Sequence, residues 1–220
     1  MIINGDTIQP SVGSNISVPN SLGINVGSTE VVEFNSTTGF LNQTPGSIIE
    51  GLWGVCDGSS HVLRSGTYTV QNVTAIQSLN NTYADITGSS ISYTPPPQAT
   101  KVVYRFAYAN QWTPSSSSTH GISHHKFFID GTEVIFARHN RSANMYLEYR
   151  TTFEWVIGIG GTSNTNTGNQ NSWTSPKILK MQARDYSDGA NEMLLHGTYY
   201  WDGSGGTQFS MPVINILAIR

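Results

Sequence analysis

The chain has 220 residues, of which 11% are charged, and its formal net charge is −3. Ser, Thr and Asn together supply 67 of these residues, and their side chains compete with the backbone hydrogen bonds of a helix. An aromatic content of 10% with a low net charge excludes a disordered chain. A protein that binds nucleic acid through phosphate contacts is not expected either, because the chain has no basic run.

The cysteine count and the apolar runs narrow the class of protein further. A single cysteine, Cys56, rules out an internal disulfide. The first ten residues, MIINGDTIQP, have neither the basic region nor the apolar run of a signal peptide. Apolar runs elsewhere are too short to span a membrane, so we expect no membrane insertion. A chain of this length with 37% apolar residues can form the core of one sandwich or barrel.

Residues 1–46 differ in composition from the rest of the chain. They are small and polar, with isolated apolar residues that are too sparse to close a core. No Lys or Arg occurs before Arg64, so residues 1–63 carry a net charge of −5. Such a segment is either a flexible leader or an extended arm that becomes ordered against a partner chain, and Val31, Val32 and Phe34 favour the arm. We therefore predict an extended N-terminal attachment arm over residues 1–46 and a folded domain over residues 47–220.

From Ser47 onward, the pattern is that of short strands joined by turns. In TKVVYRFAYANQW, alternation places Val102, Tyr104 and Phe106 on one face. The segment SHHKFFIDGTEVIFARHN predicts a hairpin with its turn at Asp130-Gly131, and no window has a sustained helical period. The sequence predicts an all-β fold, an antiparallel and jelly-roll-like β-sandwich. Its further candidate strands are SIIEGLWGV, GTYTVQNVTAI, TYADITG, SSISYT, FEWVIGIG, SPKILKMQARDY, MLLHGTYYWDG and MPVINILAIR.

Residues suited to catalysis or metal binding are few. Cys56 precedes an Asp-Gly turn and is interpreted as a small buried apolar residue. His124 and His125 point to opposite faces of one strand, so with His120 they would hold a metal ion only across a symmetry axis. A glycosidase needs two facing carboxylates across a cleft. The acids that lie close together in sequence are Asp185, Asp188, Glu192 and Asp202, and Asp188 and Asp202 are interpreted as turn residues of Asp-Gly steps. We expect no catalytic residue, no cofactor and no metal site.

Two of the five tryptophans are candidates for ligand contact. Trp112 and Trp173 lie in long polar segments, residues 111–121 and 160–176, and long loops on a rigid sandwich often carry binding function. A flat ring beside amides and hydroxyls is suited to stacking on a sugar or to contacting a host receptor. The alternative is that each ring folds back under its loop as a plug. Trp53, Trp155 and Trp201 lie inside strand patterns and are assigned to the core.

Several segments of the chain resemble a domain of marine bacteriophage structural proteins, those of cyanophages included. The resemblance covers residues 47–220 and leaves residues 1–46 outside it. It implies a trimeric β-sandwich on the exterior surface of a virion, as a fibre, tail-fibre or head-decoration component, and it supplies no catalytic motif. Its most specific segments are KFFIDGTEV, GTYYWDG and the terminal MPVINILAI, and the others are GTYTVQNVTAIQSLNN, ARHNRS, FEWVIGIGG and LKMQAR.

The sequence as a whole predicts a non-enzymatic virion protein. Its arm would dock on capsid or tail proteins, and its sandwich would face outward. We expect a homotrimer, because Val103, Ala107 and Ala109 make the second face of the central strand apolar as well. A receptor- or glycan-binding tail-fibre tip is the first alternative, and it would need Trp112 and Trp173 exposed in one cleft. The second is a glycan-cleaving enzyme, which would need paired carboxylates in a groove.

Overall fold

A computed structural model describes the chain in two units. Contacts between backbone atoms divide the chain into Met1–Ser47 and Ile48–Arg220. The structure describes the backbone of residues 21–26, 29–35 and 40–42, and it describes residues 45–113, 120–144, 149–187, 191–200, 202 and 206–220.

The described residues of the first unit include three short strands that form an antiparallel meander. Strand β2 pairs with both of its neighbours, so the order in the sheet is β1-β2-β3. The sequence analysis predicted no strands here, because the alternation of apolar residues is weak over this segment. Whether residues 1–46 act as an attachment arm stays a prediction. The strands are β1 (Ser21–Val26), β2 (Thr29–Asn35) and β3 (Phe40–Asn42).

The second unit is built from sixteen strands and one short 3-10 helix within its described residues, which contain no α-helix. This confirms the predicted all-β class. Its first seven strands are β4 (Ile48–Val55), β5 (Ser60–Leu63), β6 (Gly66–Thr69), β7 (Gln77–Ser78), β8 (Ala84–Asp85), β9 (Ile91–Tyr93) and β10 (Lys101–Trp112). The middle elements are β11 (His120–Ile129), β12 (Thr132–Glu133), the 3-10 helix η1 (Ile135–Ala137), β13 (His139–Asn144) and β14 (Tyr149–Gly158). The last five are β15 (Lys177–Asp185), β16 (Met193–Leu195), β17 (Gly197–Tyr199), β18 (Thr207–Phe209) and β19 (Val213–Ile219).

Two six-stranded antiparallel sheets form the layers of a sandwich. In the first sheet, β10 lies between β19 and β14, and the order continues from β19 to β4 and from β10 to β16 and β7. In the second sheet, β11 lies between β15 and β12, with β13 also on β11 and with β8 and β9 on β15. The rings of Tyr104 in β10 and Phe127 in β11 lie 4.9 Å apart. This contact joins the inner faces of the two layers, as in other packed sheets.

The core follows the alternation of the long strands. Val102, Tyr104, Phe106 and Tyr108 of β10 are all fully buried. On β15 the inward residues Leu179, Met181, Ala183 and Asp185 are buried, and the residues between them are half-buried or exposed. The buried face of β10 is therefore the face on which alternation in the sequence placed Val102, Tyr104 and Phe106. Within the described residues, no helix has the length and apolarity that crossing a membrane requires.

The predicted hairpin turn lies where the sequence placed it. Asp130 and Gly131 have φ values of 52° and 79°, which a type I′ turn requires and which Asp-Gly favours. The second arm of the hairpin is interrupted. Thr132 and Glu133 pair with β11, the chain then forms the 3-10 helix η1 over Ile135–Ala137, and pairing with β11 resumes in β13. The prediction of an extended run after the turn was therefore wrong for these three residues.

Candidate interaction surface

The two tryptophans that the sequence singled out lie far apart. Trp173 is 4% exposed, its Nε1 donates to the backbone oxygen of Tyr93 at 3.1 Å, and its ring meets the Tyr93 ring edge-on. It also lines a cleft with Ile159, whose amide donates to Thr100 just before β10 begins. Trp112 is the last residue of β10 and pairs with Met193.

The length of β10 shows that these rings do not share a cleft. Eleven steps of about 3.3 Å each separate the two ends of the strand, or about 36 Å. Trp173 takes the plug position that was the alternative interpretation, because its indole closes the core beside Tyr93. Trp112 is half-buried and packs against the same core from the other end. Their assignment to ligand contact stays a prediction without a shared cleft to support it.

The histidines that resembled a metal cluster are divided between core and surface. His125 is 1% exposed, and its ring nitrogens contact the hydroxyls of Tyr108 at 3.0 Å and Ser123 at 2.8 Å. Its ring also stacks on that of His139. Burial lowers the pKa of His125 well below its usual value, and the nearby His139 and Arg141 lower it further. His125 is thus a neutral structural residue, and the part of the chain that is described holds no group of three or more His, Cys, Asp or Glu side chains arranged for a metal ion.

Cys56 and Asp185 are buried in structural roles. Burial raises the pKa of the Cys56 thiol to about 12, with a smaller contribution from Asp57, so the thiol is protonated at neutral pH. Its Sγ donates to the backbone oxygen of Gly88 at 3.4 Å. Asp185 is fully buried, and its Oδ1 accepts a hydrogen bond from the Met193 amide at 2.9 Å. Asp202 lies on the surface, and Asp188 lies outside the described residues.

The outer face of the first sheet carries an unusual number of exposed apolar side chains. Register pairs place Trp53 of β4 opposite Asn215, and Val55 opposite Val213. On the other side of β10, Val156 of β14 lies opposite Val103. The exposed fractions are 61% for Trp53, 48% for Val55 and 49% for Val156. We call this surface the outer face; its further members are Ile48, Gly51, Val103, Ala107, Leu217 and Ile219.

Trp53 lies flat on this outer face. A Cβ atom built on Gly51 would lie 2.2 Å from two atoms of the Trp53 ring, so the indole covers Gly51 from the solvent side. Gly51 in turn pairs with Leu217. Because Gly51 has no side chain, the Trp53 ring can lie along the sheet. One face of the indole then covers Gly51, and the other face points to solvent.

One ion pair lies in the middle of the outer face. Arg105 of β10 and Glu154 of β14 are directly opposite each other, and the Arg105 Nε donates to Glu154 Oε2 at 2.8 Å. Their side chains are 45% and 43% exposed. The pair is exposed, so it contributes little to the stability of the fold itself. It leaves the centre of the face polar but neutral, with apolar side chains on either side.

The sequence analysis placed Trp53 in the core, and this was wrong. The inward residues of β4 are Glu50, Leu52 and Gly54, which oppose the inward residues of β19, so residue 53 points outward. The register of β4 with β19 decides which of its residues point outward. The apolar run IIEGLWGV does not show this register, because residues on both faces of the strand are apolar. Trp155 is partly buried and donates through Nε1 to the Thr167 oxygen at 2.8 Å. The side chain of Trp201 lies outside the described residues.

Comparisons with known protein families and curated proteins give no match for this chain. Among the features above, the outer face is the one whose composition calls for a partner. Large exposed apolar patches mark interaction surfaces in soluble proteins, whereas single exposed apolar residues are common.

Proposed function

We propose that this chain is a non-enzymatic structural protein of a bacteriophage virion. In this proposal it is an outward-facing fibre or decoration subunit on the exterior of the particle, and residues 1–46 anchor it to capsid or tail proteins. The observation that carries the proposal is the apolar outer face around Trp53, Val55 and Val156. A sandwich that only had to remain soluble would place polar residues there, in the usual alternation of a two-layer β protein.

The partner proposed for the outer face is a second copy of the same chain. Arg105 and Glu154 neutralise each other within one subunit, so the centre of the face offers no net charge for a different, oppositely charged partner to match. Under a rotational symmetry the same pair is self-complementary, because Arg105 of one copy can meet Glu154 of the next copy. Apolar side chains around such a pair match the composition of subunit interfaces. We propose a homotrimer, as the resemblance to phage structural domains implies.

The anchoring role is proposed for the first unit because of its composition and charge. Residues 1–63 contain five acidic residues and no Lys or Arg, which suits a neutral or basic docking surface. An extended segment gains main-chain hydrogen bonds and small apolar contacts when it lies along a partner. Ordering it costs about 1–2 kcal/mol per residue for the backbone, so a partner has to supply those contacts.

Deleting residues 1–46 tests the proposal with two measurements. The thermal unfolding of the truncated protein should remain within a few degrees of that of the full chain, because the core of the second unit draws on residues from Leu52 onward. Co-purification with virions should be lost. A truncated protein that fails to fold would show that the segment belongs to the core. One that folds and still binds virions would show that attachment lies elsewhere.

The alternative of a receptor-binding tip finds no support from the tryptophan pair. It required Trp112 and Trp173 in one exposed cleft. Trp112 is the last residue of β10, whereas Trp173 lies near the start of that strand. A binding role would have to use a different part of the surface.

A further inference from the structure

A polar cleft opens between the edges of the two sheets, where β13 of the second sheet faces β14 of the first. Its volume is about 480 Å³, which lies in the range of small-molecule sites and exceeds what a single oxyanion needs. Residues 145–148 connect the two strands and lie outside the described part of the chain. The residues that define the cleft are Asn110, Asn140, Arg141, Tyr149, Arg150 and Thr151.

The floor of the cleft is a buried amide with an unsatisfied atom. Asn110 is 2% exposed, and its Nδ2 donates to the Thr151 hydroxyl at 2.7 Å. Its Oδ1 is buried and has no hydrogen-bond partner. Thr151 is itself only 7% exposed. Leaving a buried polar atom without a partner costs about 1–3 kcal/mol, so a fold keeps such an atom where something else can bond to it.

One arginine gives the cleft a positive charge. Arg141 comes from β13, and its Nε is buried without a hydrogen-bond partner. Arg150 of β14 points to the other side of its strand, because its neighbours Tyr149 and Thr151 lie on the cleft side, and an Nη atom of Arg150 donates to the Met211 backbone oxygen at 3.4 Å. The described residues that line the cleft include no Asp or Glu. Arginine presents a planar fork of donors that matches the geometry of a carboxylate.

The remaining lining residues suit a sugar ring. The Asn110 oxygen and the Thr151 hydroxyl supply the amide and hydroxyl groups that hydrogen-bond to sugar hydroxyls. Tyr149 is 50% exposed, and an exposed aromatic ring provides a flat apolar surface beside these polar groups. A carboxylate without a sugar would use Arg141 but not the ring, the amide and the extra volume.

We propose that this cleft binds an acidic saccharide, with its carboxylate held by Arg141 and its ring placed against Asn110 and Tyr149. The site lies apart from the outer face and from residues 1–46. It does not depend on the structural role proposed above.

Titration of the full-length protein with trigalacturonic acid tests the site, with calorimetry as the readout. We expect saturable binding that weakens as the salt concentration rises, and at least tenfold weaker binding in Arg141→Gln. Arg64→Gln is the matched control, because it removes an exposed arginine that lines a different cleft, and it should bind as the unchanged protein does. Asn110→Asp places a negative charge at the floor of the cleft and should also weaken binding at least tenfold. Thermal unfolding of each variant checks that it is folded.

Two further probes distinguish an acidic saccharide from a neutral saccharide and from a simple anion. Maltotriose, a neutral trisaccharide, should bind at least tenfold more weakly than trigalacturonic acid, and equal binding would overturn the role of Arg141. Inorganic sulfate should be a poor competitor, and sulfate that binds as tightly as the trisaccharide would overturn the role of the sugar ring. No detectable binding of trigalacturonic acid, or binding that Arg141→Gln leaves unchanged, would overturn the proposal as a whole.

Discussion

Glu50 joins three segments of the chain through one buried carboxylate. It is 7% exposed, and its Oε1 accepts hydrogen bonds from the Ser65 hydroxyl at 2.6 Å and the Tyr93 hydroxyl at 2.7 Å. Its Oε2 accepts from the Ser65 amide at 2.8 Å. Strand β4, the β5–β6 turn and strand β9 therefore meet at this residue. A charged acceptor with three donors is a strong local contact, because hydrogen bonds to ionised groups are about twice as strong as neutral ones.

Glu50→Gln should lower the free energy of unfolding by about 2 kcal/mol. The amide nitrogen of glutamine is a donor, so at least one of the donors from Ser65 or Tyr93 loses its acceptor inside the protein. Glu154→Gln is the matched control: Glu154 is exposed and pairs with Arg105, so its replacement should cost less than about 1 kcal/mol. Urea unfolding at pH 7 measures both. Equal losses for the two variants would contradict the role given to Glu50.

His196 should make the stability depend on pH. Burial lowers its pKa from 6.5 to about 4 in the folded protein, so the unfolded chain binds more protons between these values. The contribution of His196 is complete above about pH 6.5 and is lost as the pH falls toward 4. At pH 5 its loss amounts to about 2 kcal/mol relative to pH 7.5.

Urea unfolding of His196→Asn at pH 7.5 and pH 5 measures this contribution. Asn tolerates the φ of 62° that residue 196 adopts, so the backbone can stay as it is. The variant should lose about 2 kcal/mol less than the unchanged protein between the two pH values. His120→Asn, which removes an exposed histidine, is the control. A pH dependence identical in the unchanged protein and in His196→Asn would contradict the prediction.

Among the elements, β10 organises the first sheet. Its twelve residues pair with β14 over most of their length, with β19 over the first half and with β16 at the end. The sequence predicted this strand and its inward face because the alternation is long and regular. It did not predict the two-residue strand β7, which has no room for a periodic pattern and forms only because β16 offers it a partner. Strand β8 lies within the candidate strand TYADITG but is only two residues long, and it pairs with β15.

The long polar segment over residues 160–176 shows the limit of prediction from composition. The sequence indicated a surface loop, and the structure ties it down at several points. The Asn164 Oδ1 accepts hydrogen bonds from the amides of Asn166 and Thr167, and the Trp155 indole donates to the Thr167 oxygen. Asn-rich segments form such turns locally, but the contact with Trp155 depends on tertiary structure. For the same reason the sequence predicted only the part of the outer face that lies on β10, namely Val103 and Ala107, and it did not predict the polar cleft, since both are made by strands distant in sequence.

Gly131→Ala tests the turn between β11 and β12. Gly131 has a φ of 79° and no atom near the position of a Cβ, so the cost of alanine is the strain of the left-handed backbone alone. We expect a loss of about 1 kcal/mol in the free energy of unfolding. Gly161→Ala is the matched control, because Gly161 also has open space and its φ lies outside the left-handed region. A loss at residue 161 equal to that at residue 131 would contradict the assignment of a strained turn.

For the whole molecule, the central claim is that the outer face is buried between copies of the chain. The single chain covers Val103 and Ala107, which are each 8% exposed, but it leaves Trp53, Val55 and Val156 about half exposed or more. Burying apolar area contributes roughly 25 cal/mol per Å², so association of these faces is favourable if their shapes fit. An isolated subunit would carry this apolar surface in water.

Light scattering of the purified full-length protein tests this claim most directly, together with two valine variants. The account predicts a mass of about 72 kDa, three times the 24.0 kDa of one chain. Val156→Lys places a charge on the outer face and should reduce the mass to that of one chain. Val62→Lys, at an 83% exposed valine of the β5–β6 hairpin, should leave the mass unchanged. A mass of about 24 kDa for the unchanged protein at every concentration, or an unaltered larger mass in Val156→Lys, would contradict the account.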